Sequence, residues 1–134
     1  TNQSGVGRGL FTAETLAAIH ARMSHAIESG GGRLAGIFFC PHRAEDDCEC
    51  RKPRPGLLRQ IEARFGTPLH GKPVVGDSHR DMVAAWNVGA RAILVRTGNG
   101  AMTESRLGVD ARKVEVFTDL AAVAAALIGE HRAN

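Results

Sequence analysis

At 134 residues the chain fits one domain, and with 43% apolar residues it has enough to build a core. Its net charge of +3 comes from 17 basic and 14 acidic residues; the basic ones are scattered and aromatics are only 4%, which argues against a nucleic-acid surface. No apolar run approaches the roughly 20 residues of a membrane span, and three cysteines within eleven positions read as a metal site in a reducing compartment, so the expected setting is cytoplasmic.

Residues 1–9 (TNQSGVGRG) form a Gly-rich polar loop. Thr12 reads as an N-cap. Leu16, Ile19, Met23 and Ile27 recur at helical spacing, so residues 13–29 are expected to form an amphipathic helix ended by Gly30, Gly31 and Gly32. Met23 and Met82 read as core filling. The apolar run 34–39 (LAGIFF) is expected to be a buried strand, followed by a polar, Cys-rich loop from Cys40 to Pro53. Pro55 suits the first residue of a helix whose apolar face is Leu57, Leu58, Ile61 and Phe65, stopped by Gly66. Further on, Val74 and Val75 mark a strand entering Gly76-Asp77, and a helix follows over about 79–88. Strands at 92–95 and 114–117 and an Ala-rich helix at 119–128 complete the series. Alternating strands and helices imply an α/β domain, with a parallel sheet and helices on both faces. Connections are short and no linker is evident, so residues 1–134 are expected to form a single domain. Ligands in such sheets sit at the carboxyl ends of the strands, where the Thr1 loop, the Cys40 loop and the Gly76-Asp77 turn all fall.

The strongest local signal is Cys40-Pro-His42 followed by Cys48-Glu-Cys50. Three thiolates and one imidazole match a closed, structural zinc site, with no open position for a catalytic water. Apolar residues that could order the loop 40–50 are lacking, so zinc is expected to serve as its local core. An odd number of cysteines cannot close entirely into internal disulfides. Directly after the loop comes Arg51-Lys52-Pro53-Arg54-Pro55. The prolines stiffen the backbone around Lys52, whose ammonium suits a phosphoryl oxygen, while Arg51 offers a bidentate fork. A solvated basic turn fits the same residues. Gly76-Asp77-Ser78-His79-Arg80-Asp81 then places two carboxylates four apart, at a strand end and in the first turn of a helix. Asp77 could hold magnesium, with Asp81 as a second ligand or an outer partner. Helix capping by Ser78 or Asp77 accounts for the motif equally well.

Taken in order, Thr1-Asn2-Gln3-Ser4-Gly5, the Cys/His loop running into Arg51-Lys52-Pro53, Gly76-Asp77 with Asp81, and Val95-Arg96-Thr97-Gly98 resemble the haloacid dehalogenase superfamily. They resemble most closely its D,D-heptose 1,7-bisphosphate phosphatases and the related histidinol-phosphate phosphatases. The resemblance covers essentially the whole chain and implies a Rossmann-like fold. It makes Thr1 the hydroxyl residue that hydrogen-bonds the transferring phosphoryl group, Asn2 a substrate contact and Arg51 a substrate anchor. Lys52 becomes the lysine that steadies the phosphoryl charge, and Asp77 the magnesium ligand. Arg8, in a Gly-x-x-Arg-Gly stretch, is a further substrate-contact candidate, and Cys40, His42, Cys48 and Cys50 match the zinc ligands.

The implied activity is magnesium-dependent removal of the 7-phosphate of a heptose bisphosphate, through an aspartyl-phosphate, for lipopolysaccharide precursors. Histidinol phosphate is the alternative substrate. The family's first motif, Asp-x-Asp-Gly, belongs on a strand ahead of Thr1 and does not occur in these residues. The nucleophile strand is therefore expected to lie outside the chain, and the chain alone is expected to bind zinc without hydrolysing phosphate esters. A non-catalytic zinc-bearing module is the rival from another class.

Overall fold

Alternation along Arg91–Val95 (β2) sets the architecture, because successive side chains point to opposite faces of a sheet. In the computed structural model, which describes residues 1–133, β2 is the middle strand of a three-stranded parallel sheet. Its neighbours are β1 (Pro73–Gly76) and β3 (Val114–Phe117), with Val74 opposite Ala92 and Ile93 opposite Glu115. Parallel strands need crossovers. Here α4 (His79–Trp86) links β1 to β2, and α5 (Gly100–Arg106) with a 3-10 turn (Gly108–Lys113) links β2 to β3. Ahead of β1 lies α3 (Gly56–Phe65), and α6 (Leu120–Ala133) follows β3.

Both faces of the sheet are covered, as the sequence predicts. Ala92 and Leu94 pack with Met82, Ala85 and Val88, joined by Leu58 of α3 and by Val114 and Val116. On the other face Ile93 and Val95 pack with Val75, Phe117, Val123 and Leu127. Arg91 ties the sheet's amino end to its surroundings, pairing with Glu115 of β3 and with Glu130 of α6 at 2.7 Å.

Residues fall into two compact units, Thr1–Arg51 and Lys52 onward, and all the strands are in the second. The first unit holds a single helical turn, α1 (Ser4–Gly7), where the sequence reads as loop, and then α2 (Ala13–Ser29). The boundaries of α2 match the periodicity, and the Thr12 hydroxyl accepts from Thr15 N at 3.1 Å. A short 3-10 turn, Ala44–Asp46, lies in the cysteine loop, where Asp46 accepts from Arg43 N at 2.7 Å.

Two expectations fail in the first unit. Residues 34–39 do not form a strand: the only pairing nearby among the described residues is the isolated parallel bridge Asn2–Cys40. An apolar run becomes a strand only where a ladder partner satisfies its backbone, and one bridge does not make a ladder. Met23 is not core either, being 41% exposed beside Ile19 and Leu34 on an open apolar groove of about 370 Å³. Met82, in contrast, is fully buried.

Candidate functional site

The first unit carries a donor cluster. Cys40 is buried at the end of the 34–39 segment, where its N–H donates to Thr1 O at 2.9 Å and its carbonyl accepts from Gln3 N at 2.7 Å. From the far side of the loop Cys48 and Cys50 return to it. Cys40 Sγ lies 3.5 Å from Cys48 Sγ and 3.5 Å from His42 Nδ1; Cys50 Sγ lies 3.2 Å from His42 Nδ1 and 3.5 Å from Cys48 Sγ. All four donor atoms fit within 4.8 Å of one another. A sulfur separation of 3.5 Å is far beyond the roughly 2.05 Å of a disulfide, and all three cysteines are free. A tetrahedral zinc with bonds of about 2.0–2.3 Å has edges of about 3.3–3.8 Å, so the cluster has the size of a zinc cage.

Electrostatics point the same way. Burial opposes ionisation of Cys48, but hydrogen bonds from Cys40, Cys50 and the backbone outweigh it and bring the thiol down to about 7. Burial, together with its two thiol neighbours, pushes Cys50 up to about 12. Packed this closely, the sulfurs resist carrying three negative charges unless a cation sits among them. Arg51 closes the loop, its guanidinium 3.5 Å from His42 O.

The second unit carries a carboxylate turn at the carboxyl end of β1. Asp81 is 6% exposed, and its Oδ2 accepts from Ser78 Oγ at 2.6 Å, Ser78 N at 3.0 Å and Asp77 N at 3.3 Å. Its Oδ1 faces Lys52 Nζ at 2.5 Å. Burial works to raise the Asp81 carboxyl, but Lys52 and Ser78 prevail and hold it below the ordinary carboxylate range. Gly76 belongs here through close approach: a Cβ on it would stand 2.4 Å from Asp81 Cβ. Asp77, half-buried, turns the other way, toward the loop after β2. Its Oδ2 accepts from Asn99 N at 2.9 Å, and its backbone carbonyl accepts from the buried Thr103 hydroxyl at 2.9 Å.

A family model described as HAD-hydrolase-like matches residues 49–123. Over 130 residues the chain is 48% identical to the D-glycero-beta-D-manno-heptose-1,7-bisphosphate 7-phosphatase of Bordetella bronchiseptica, a match spanning 97% of this chain and 72% of that protein. The chain belongs to the HAD-like hydrolases, in the heptose-bisphosphate phosphatase family. The Pseudomonas aeruginosa enzyme of the same name is 44% identical, over 96% of this chain and 71% of its own length. Among solved structures, the B. bronchiseptica phosphatase complexed with magnesium and phosphate matches with a TM-score of 0.92 at 48% identity, covering 97% of this chain and 72% of that one. A Burkholderia thailandensis phosphatase matches at 0.69 and 36% identity, covering 96% and 72%.

For a chain of this family, the structure brings the sequence candidates together in two sets. Cys40, His42, Cys48, Cys50 and Arg51 gather in the first unit, with Thr1 and the half-buried Asn2 joined to them through the bridge at Cys40. Lys52, Asp77 and Asp81 gather in the second. Arg8 lies exposed just beyond α1. Sequence reasoning passed over Ser78 as a partner of Asp81, and over Gly98, Asn99 and Thr103 as partners of Asp77. The pair of glycines flanking Asn99, directly after a strand end, was the available signal. No described helix is long and apolar enough to cross a membrane.

Proposed function

We infer that these residues belong to a magnesium-dependent phosphatase that removes the 7-phosphate of D-glycero-D-manno-heptose 1,7-bisphosphate. Carrying the reading is the Lys52–Asp81–Asp77 turn, found in a chain 48% identical to an enzyme named for that reaction. Lys52 is a single ammonium pinned by Asp81 at 2.5 Å, so it can face developing phosphoryl charge without reorganising. Both Asp81 oxygens are spent on Lys52 and the turn, which leaves Asp77 as the cation ligand and gives Asp81 the task of aiming Lys52. Asp77 fits that role: it is a hard oxygen donor, and Oδ1 accepts no hydrogen bond among the described residues. Magnesium is commonly held by one or two carboxylates, with waters and a substrate phosphate completing its shell, and when bound it neutralises phosphoryl charge. Thr1, Asn2 and Arg51 supply phosphate and sugar contacts in this reading, with Arg8 a further contact candidate. Cys40, His42, Cys48 and Cys50 hold a structural zinc.

The test is phosphate release from the heptose bisphosphate and from histidinol phosphate by the product of the full reading frame, with and without magnesium. Magnesium-dependent release favouring the heptose is expected. A preference for histidinol phosphate, or release unchanged in Lys52→Met, overturns the reading.

A further inference from the structure

The segment after β2 is built around Asp77. Asn99 donates its backbone N–H to Asp77 Oδ2 at 2.9 Å, with its side-chain Nδ2 at 3.4 Å from the same oxygen. Gly98 has φ +60, and a Cβ there would stand 2.3 Å from that oxygen, so the turn closes only because position 98 has no side chain. The segment is fixed from several directions. Gly100 N donates to Thr97 O at 3.0 Å, Thr103 N donates to Asn99 O at 2.9 Å, and Arg96 grips Glu104 with two bonds of 2.7 and 2.9 Å. From α5 the buried Thr103 hydroxyl holds the Asp77 carbonyl at 2.9 Å. Asp77 is thus held at one carboxylate oxygen and at its backbone, while Oδ1 accepts no hydrogen bond among the described residues.

We propose that the Gly98–Asn99 turn is the positioning element of Asp77: it occupies Oδ2 and so commits Oδ1 to a divalent cation as a single, aimed donor. The proposal rests on the reading of Asp77 as a cation ligand. A free carboxylate rotates, and it can meet a cation through either oxygen or both. Occupying one oxygen with a backbone N–H removes that choice before the cation arrives. Outer partners of this kind are typically worth about 10- to 100-fold in metal affinity. Asn99 is a positioning residue here, acting through Asp77 alone, and mainly through its backbone.

Two measurements on the product of the full reading frame, loaded with zinc, test this. The first needs no divalent cation at the turn: hydrogen exchange of the Asn99 amide, followed by NMR in the wild type and in Asp77→Ala. Protection is expected in the wild type and its loss in the variant; equal exchange in both overturns the clamp. The second is manganese binding, read from the electron paramagnetic resonance of the free ion. Gly98→Ala is expected to weaken binding about 10-fold or more. Its control is Gly108→Ala, at φ +54 with nothing within 4 Å of a Cβ, which carries similar backbone strain away from Asp77. The control is expected to bind as the wild type does. Equal affinity in Gly98→Ala and the wild type, or an equal loss in Gly108→Ala, overturns the proposal. A wild type that binds no manganese sinks the reading of Asp77 as a ligand, while the amide exchange still decides whether the clamp exists.

Discussion

Replacing Asp81 with alanine removes one carboxylate that serves two structures at once, and the cost can be worked from its contacts. Breaking a fully buried pair by deleting one partner costs about 3–5 kcal/mol. Lys52 keeps 24% of its side chain exposed, so water partly compensates for the lost carboxylate, and about 2 kcal/mol is a fair share for the pair. Loss of the acceptor for Ser78 N, Ser78 Oγ and Asp77 N adds about 1 kcal/mol, the usual worth of a helix cap. The sum is about 3 kcal/mol, or a fall of roughly 10 °C in the transition that melts the sheet. Asp81→Asn retains an acceptor for the turn and loses only the ion pair, so it should cost about 2 kcal/mol. Urea unfolding of wild type, Asp81→Asn, Lys52→Met and the double variant closes a cycle in which a coupling of about 1–2 kcal/mol is expected. A coupling indistinguishable from zero, or an Asp81→Ala cost under about 1 kcal/mol, would refute the claim that Asp81 holds Lys52.

The same carboxylate sets a pH dependence. Because folding depresses its pKa, the stability it contributes is fully present above its unfolded value of about 4 and disappears as pH falls through the folded value. The melting-temperature gap between wild type and Asp81→Asn should therefore be flat above about pH 5 and close in acid; a gap that persists through the acid range contradicts the assignment. Zinc should be stoichiometric by elemental analysis and lost in Cys50→Ser, and strong chelators should abolish the helical signal of the first unit, since structural zinc sites contribute about 10 kcal/mol or more. A zinc-free chain with an unchanged circular dichroism spectrum rules this out. Leu94→Ala, at a fully buried position of the middle strand, should cost about 2–5 kcal/mol in denaturant unfolding without altering zinc content; a cost under about 1 kcal/mol would remove Leu94 from the core.

What could be read from the sequence was whatever its local chemistry decides. The helix 13–29 has its cap and its period in one stretch, and the strand at 114–117 falls where expected. The Cys/His donor cluster was legible because three thiols and an imidazole within eleven residues of a polar loop rarely gather except to bind a metal. The Gly76-Asp77 turn was read as a choice between capping and catalysis, and the structure divides the work: Asp81 completes the capping box with Ser78, and Asp77 faces the next loop. That division depends on Lys52 and Asn99, each more than twenty residues from its carboxylate, and no local pattern reports a contact at that range. The run 34–39 misled for the same reason, because strand formation is decided by a partner. The helix Gly100–Arg106 escaped notice because it opens on Gly-Ala and mixes polar with apolar residues, and only Gly100 and Thr103 of it are buried.

Burial is shared very unevenly between the two units, and that bears on how each holds its chemistry in place. In residues 1–51 the buried apolar residues are Leu16 and Cys40 alone, whereas the second unit contains both packed clusters. The first unit therefore has little apolar burial to resist the entropy of ordering its loops, and the four-donor cluster, with Cys40 at its base, is the one feature there able to supply what is missing. The consecutive cations Arg51 and Lys52 are accordingly fastened by unlike means: Arg51 by its bond to His42 O within the donor loop, Lys52 by an ion pair to a carboxylate seated on a packed helix. Removing zinc should loosen the guanidinium and leave the Lys52–Asp81 pair intact, while Asp81→Ala should break that pair and leave the donor loop closed. Two consecutive positive charges held by independent devices can each be lost alone, so under the proposed function, where Arg51 anchors substrate and Lys52 steadies phosphoryl charge, the two defects should be separable.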